Sequence, residues 1–135
     1  MEHKEFINQI ETGIFPREHW NHLAHLRFAL YHLFTEQDFF KALSKIKSGI
    51  VAYNTASHVE GQPNAIYSET ITVFWVTELF RLFDQHKDAT LDELNRFLLA
   101  SDLVRFDFIY GFYSKQLLES SLSKEIFIES DLSEK

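Results

Sequence analysis

Four of the seven histidines, His19, His22, His25 and His32, fall in one short stretch of the chain. Imidazole changes charge near neutral pH and is a common ligand for divalent transition metals. If the stretch is helical, at about 100° per residue, His22, His25, Leu26, Ala29, His32 and Leu33 share one stripe. His22 and His25, three residues apart, can then face one spot a single turn tall. Two imidazoles placed so suit a metal such as zinc, with water in the open position, or bind an anion when protonated. Ala29 is small and leaves room beside them. The same residues also fit a plain alternative, in which the histidines are core groups bonded to neighbours, as burial demands. The spacing H-x-x-H is not the H-E-x-x-H of helical zinc proteases.

A second group is Tyr67-Ser68-Glu69-Thr70-Ile71-Thr72-x-x-Trp75. Glu69 is a candidate metal ligand or general base, and Tyr67 a candidate catalytic hydroxyl. Ser68, Thr72 and Trp75 are candidate ligand contacts. The plain alternative makes Ser68 a helix N-cap and sets Glu69 against the helix dipole. A third group is Tyr113-Ser114-x-x-Leu117-Leu118-x-Ser120, where Tyr113 adds a further candidate catalytic hydroxyl and Ser114 and Ser120 read as caps. No G-x-S-x-G elbow surrounds either serine, which argues against a serine hydrolase. The four glycines stand far apart, so no phosphate-binding loop is present.

Helical periodicity runs through almost the whole chain. It predicts helices over about 2–12, 17–34, 35–53, 68–86, 90–100 and 102–112, then a short helix or turn over 115–125. Gly13 reads as a C-terminal stop, and Phe15-Pro16 as an extended link. Thr35 reads as the N-cap of the third helix, and Thr90-x-x-Glu93 as a capping box for the fifth. Gly49 sits inside the third helix, where glycine costs about 1 kcal/mol relative to alanine. A close helix approach would offset that cost. Residues 54–66 form the one long loop, a length more often found where loops are functional. The acidic tail from about 128 is expected to fray. These elements predict an all-α fold, a single compact bundle of five to seven helices over 1–135.

Composition narrows the function. Lys and Arg total 13 against 20 Asp and Glu, a net charge of −7. The arginines are scattered, so the chain is expected to repel phosphate backbones and not to bind nucleic acid. The absence of cysteine removes disulfides, thiolate metal sites and thiol nucleophiles. Met1 to Glu11 reads as polar rather than as a signal peptide, and no run approaches the ~20 apolar residues of a membrane span. A cytoplasmic location is the expectation. The 14 phenylalanines read mainly as core at helical spacing.

Taken in order, these segments resemble a family of small, largely uncharacterised bacterial all-helical proteins. The resemblance rests on Asn21-His22-x-x-His25-Leu26, Gly49-Ile50, Tyr67-Ser68-Glu69-Thr70-x-Thr72-x-x-Trp75, Tyr113-Ser114, Leu118-x-Ser120 and Ser130-Asp131-Leu132. It covers nearly the whole chain. It implies that His22, His25 and the Tyr67–Trp75 segment serve one site. The family pattern has histidine after the tyrosine, completing three imidazoles for a metal. Here Ser68 takes that place, so Glu69 or water fills the gap, or the pocket works without metal. The reading that follows is a protein with a pocket for a small molecule or metal. The alternatives are an interaction module with exposed aromatics, including a homo-oligomer, and a ligand-sensing domain whose histidines titrate.

Overall fold

The computed structural model describes residues 2–58, 60–61 and 66–132. Every regular element among them is helical, and the chain is all-α. It divides into two compact units, Met1–Tyr67 and Ser68–Lys135. No helix among the described residues is long and apolar enough to cross a membrane.

The N-terminal unit holds α1 (His3–Glu11), a 3-10 turn (Arg17–His19), α2 (His22–Glu36) and α3 (Phe39–Ala56). Helices α2 and α3 form a tight αα-hairpin. Gln37 ends α2 in the left-handed conformation at φ 60°, and Asp38 starts α3 by accepting the Lys41 amide at 2.8 Å. The third helix therefore begins at Phe39 and not at Thr35, whose hydroxyl instead bonds back to the His32 carbonyl. Along the hairpin, Lys45 pairs with Glu36 at 2.7 Å. Lower down, a β-carbon built on Gly49 would lie 2.4 Å from the Phe28 ring, so glycine is what admits the phenyl group. The expected close approach is thus found, and Phe28 is wholly buried.

Helix α1 also packs on α3. The chain then turns at Gly13, which has φ +78° and lies against Ala56. The link that follows is pinned to the end of α3. Tyr53 donates its hydroxyl proton to the Phe15 carbonyl, and Arg17 Nη1 donates to the Ser57 carbonyl at 3.3 Å.

The C-terminal unit holds α4 (Glu69–Asp84), α5 (Leu91–Leu99), two 3-10 segments (Asp102–Val104 and Phe106–Gly111), α6 (Lys115–Glu119) and α7 (Ser121–Glu125). The Thr90–Glu93 capping box is present in both directions. Ser68, Ser114 and Ser120 each cap a helix by accepting an amide. The sequence predicted one helix over 102–112. The structure has two 3-10 segments, separated where Arg105 takes an extended conformation. Its core joins Phe74, Ile109, Tyr113 and Leu118.

Acidic composition suggests fraying from about residue 128, yet residues up to Leu132 make long-range hydrogen bonds. The Thr70 hydroxyl donates to the Ile126 carbonyl at 2.9 Å and accepts the Ile128 amide at 3.1 Å. Asp131 accepts the Ser114 amide at 2.8 Å and its hydroxyl at 2.6 Å. The Leu132 amide donates to the Phe112 carbonyl at 3.0 Å. Residues 126–132 are thus a strap across this unit.

Candidate functional site

The second helix begins five residues later than its periodicity suggests. Asn21 is the N-cap: its side chain accepts the Ala24 amide at 2.9 Å. Trp20, just outside the helix, has φ −82° and ψ 68°. His19 therefore lies in the preceding 3-10 turn, apart from the helical stripe. The apolar pattern Trp20, Leu23, Ala24 runs through the break and hides it. The asparagine was the available signal, since asparagine is among the best N-caps.

This local geometry shapes His25. Its Nδ1 lies 2.8 Å from the Asn21 carbonyl oxygen. A carbonyl can only accept, so Nδ1 carries the proton and Nε2 keeps its lone pair. The imidazole also lies against the Trp20 indole, with ring centres 3.9 Å apart and planes tilted by 34°. Burial is the largest influence on its pKa and lowers it below 6.5. The Asn21 hydrogen bond raises it and nearby His22 lowers it, so the net shift is downward. His25 is therefore neutral at pH 7, with a fixed tautomer and a ring held on two sides. That is the form of imidazole that can accept a proton or a hydrogen bond.

Aromatic groups surround this point. Trp20 contacts Tyr53 at 4.8 Å between ring centres, Phe28 at 6.0 Å and Phe15 at 6.3 Å. The Trp20 Nε1 is buried with no hydrogen-bond partner. The same holds for Nε2 of His32, two turns along α2, whose residue is only 6% exposed. Its ring stands edge-on to Phe28 at 4.7 Å. Burial first, and then Lys45, lowers the His32 pKa, against an opposing pull from Glu36. Unpartnered buried polar atoms are uncommon and costly.

The other sequence candidates fall as follows. His22 opens α2 and is close enough to His25 to influence its charge. Tyr67 lies at the end of the N-terminal unit and lines a shallow depression on α3 with Lys47, Ser48 and Val51. Ser68, Glu69, Thr72 and Trp75 belong to the C-terminal unit. Ser68 is the N-cap, Glu69 the acidic residue of the first turn, and both match their plain reading. Trp75 packs against Phe74 and Phe108, with ring centres 5.2 and 6.0 Å away. Tyr113 is buried, and its hydroxyl donates to the Ile128 carbonyl. Burial, then Glu129 and Asp131, raises its pKa. That arrangement suits an anchor for the strap better than a proton donor in catalysis.

Among the described residues, no three His, Asp or Glu side chains gather in a way that could hold a metal ion. Of the expected metal set, His22 and His25 belong to the N-terminal unit and Glu69 to the C-terminal unit. A zinc site takes at least three protein ligands, and the helical imidazole pair alone supplies two.

One partly open cleft lies within the C-terminal unit, with a volume of about 410 Å³. One side of it is α4, with Phe74, Glu78 and Arg81, and another is the strap, with Phe127 and Glu129. Of its lining, Tyr113 is the one residue among the catalytic and ligand-binding candidates of the sequence. The continuous apolar run Ile126-Phe127-Ile128, set in an acidic tail, is the signal that the tail packs. No protein-family model, curated protein or solved structure matches this chain.

Proposed function

We propose that the N-terminal unit binds a small polar organic molecule through His25. The carrying observation is the fixed, neutral imidazole, whose Nδ1 is occupied by Asn21 and whose face is covered by Trp20. Its Nε2 is an acceptor for a hydroxyl, carboxylic acid or protonated amine of the ligand. The buried, unpartnered Nε1 of Trp20 supports the reading, because it is a donor that a ligand oxygen or a water would satisfy. A neutral imidazole held this way can also serve as a general base, which leaves room for an enzyme of the same design.

A ligand-observed NMR screen of small hydroxy and carboxy compounds tests the proposal. Hits should lose binding in His25→Ala while the variant still melts cooperatively. They should also weaken as pH falls through the lowered pKa of His25, when the imidazole takes up its proton. Hits that bind His25→Ala unchanged would show that the residue is only packing.

A second reading, an interaction module, is favoured by one observation. Large apolar side chains stand exposed in the C-terminal unit, with Phe106 at 68% and Leu99 at 58%. Concentration-dependent sedimentation, abolished in Phe106→Ser, would support a homo-oligomer or partner face.

A further inference from the structure

We infer that the cleft of the C-terminal unit is a binding site for an organic cation, an ammonium group carried on an apolar body. This inference rests on that unit alone and is independent of the role proposed for His25.

The argument begins with how the strap makes the wall. Backbone groups of Ile126 and Ile128 are bonded to Thr70, and the Ile128 carbonyl also accepts from Tyr113. In an extended segment, side chains alternate between faces. Tying down residues 126 and 128 turns the intervening and following residues, Phe127 and Glu129, to the cleft, which both of them line. The strap is fixed again at Asp131 and Leu132, so the wall is held on both sides of Glu129.

The opposing walls are aromatic. Phe74 lies 5.3 Å from Phe112 at 52° and 5.8 Å from Tyr113 at 89°, measured between ring centres. All three rings line the cleft. Ring faces attract cations by their quadrupole.

Charge decides the class of ligand. The cleft contains one cation, Arg81, and it is already compensated: Nη1 lies 2.6 Å from Oε2 of Glu78. The Glu78 side chain is only 15% exposed, so that pair is internal business of α4. No ion pair among the described residues engages Glu129. The lining therefore carries one uncompensated negative charge beside several rings. The upward pull of Glu129 on the Tyr113 phenol fits the same negative potential. An anion would meet Glu129 and a neutralised arginine. A neutral apolar ligand would leave Glu129 facing it without a partner. A cation with an apolar body satisfies both features. A volume of about 410 Å³ lies within the usual range for small-ligand pockets.

The test is an NMR titration of the full chain with three probes that share a ring. Benzyltrimethylammonium is the cation, benzyl alcohol the neutral comparator and benzoate the anion. The cation should bind most tightly and move the amide signals of Glu129 and Ser130. Glu129→Gln should weaken it about tenfold with no loss of thermal stability, because Glu129 is exposed and its side chain makes no hydrogen bond among the described residues. Phe127→Ala should weaken it as well. Equal or tighter binding of benzoate or benzyl alcohol would overturn the inference. So would cation affinity that is unchanged in Glu129→Gln, or shifts confined to residues outside the cleft.

Discussion

The imidazole of His25 lies against the indole of Trp20, its ring centre 3.9 Å away, while its Nδ1 bonds to the backbone carbonyl of Asn21, the residue that follows Trp20. The N-cap thus does two things at once. Asn21 starts the helix with its side chain and fixes the histidine with its carbonyl. A stop just before Asn21 puts Trp20 outside the helix, where it can cover a residue one turn inside it.

This contact gives an optical readout. In a Trp75→Phe background, the fluorescence of Trp20 should follow the charge of His25, since a protonated imidazole quenches a touching indole. The midpoint should fall below 6.5. A midpoint at or above that value would mean that burial does not govern the group.

Stability should depend on pH with a definite sign. Both His25 and His32 have pKa values lowered in the folded state. As pH falls below about 6.5, the unfolded chain takes up protons first, so unfolding becomes easier. Urea unfolding at pH 7 and at pH 5 should show the loss. It precedes the acid range in which Glu36 and Asp131, whose pKa values are also lowered, give up their contributions.

His32→Leu should be neutral or stabilising by about 1 kcal/mol at pH 7, because it removes a buried nitrogen that has no partner. It should also flatten the pH dependence. Loss of more than about 2 kcal/mol would show that the nitrogen is satisfied in solution, by a water or a ligand.

Gly49→Ala should destabilise the chain by about 1–3 kcal/mol in chemical denaturation, although alanine is the better helix former. The added methyl would meet carbons of the Phe28 ring at 2.4 and 2.8 Å. Phe28→Leu should recover part of the loss in the double variant.

Thr70→Val should release the strap. It keeps the shape of a wholly buried side chain and removes both hydrogen bonds to residues 126 and 128. A cost of about 1–3 kcal/mol is expected, with faster amide exchange at Ile128 and Leu132.

The local signals were the legible part of the sequence. Thr90-x-x-Glu93, Ser68, Ser114 and Ser120 announce their caps because each acts within three residues of itself. The all-α class follows from periodicity. Less legible was the break at Trp20, where apolar spacing continues through a non-helical residue, and the 3-10 character of 102–111, which has nearly the same spacing as a helix. The strap was hidden because its partners, Thr70 and Ser114, lie 58 and 17 residues away in sequence. Acidic composition suggested fraying, while the bonds that prevent it are long-range. For the site, spacing brought His22 and His25 to notice for metal binding. It could not show that Nδ1 of His25 is taken by a carbonyl, or that Trp20 and His32 each bury an unpartnered nitrogen.

The most direct measurement is a long-range proton–nitrogen NMR spectrum of the histidine rings at pH 7, with His25 assigned by comparison with His25→Gln. A neutral ring protonated at Nδ1, with an unprotonated Nε2, is the predicted result. A ring protonated at Nε2, or a cationic ring at that pH, would contradict the account of His25 as a fixed acceptor.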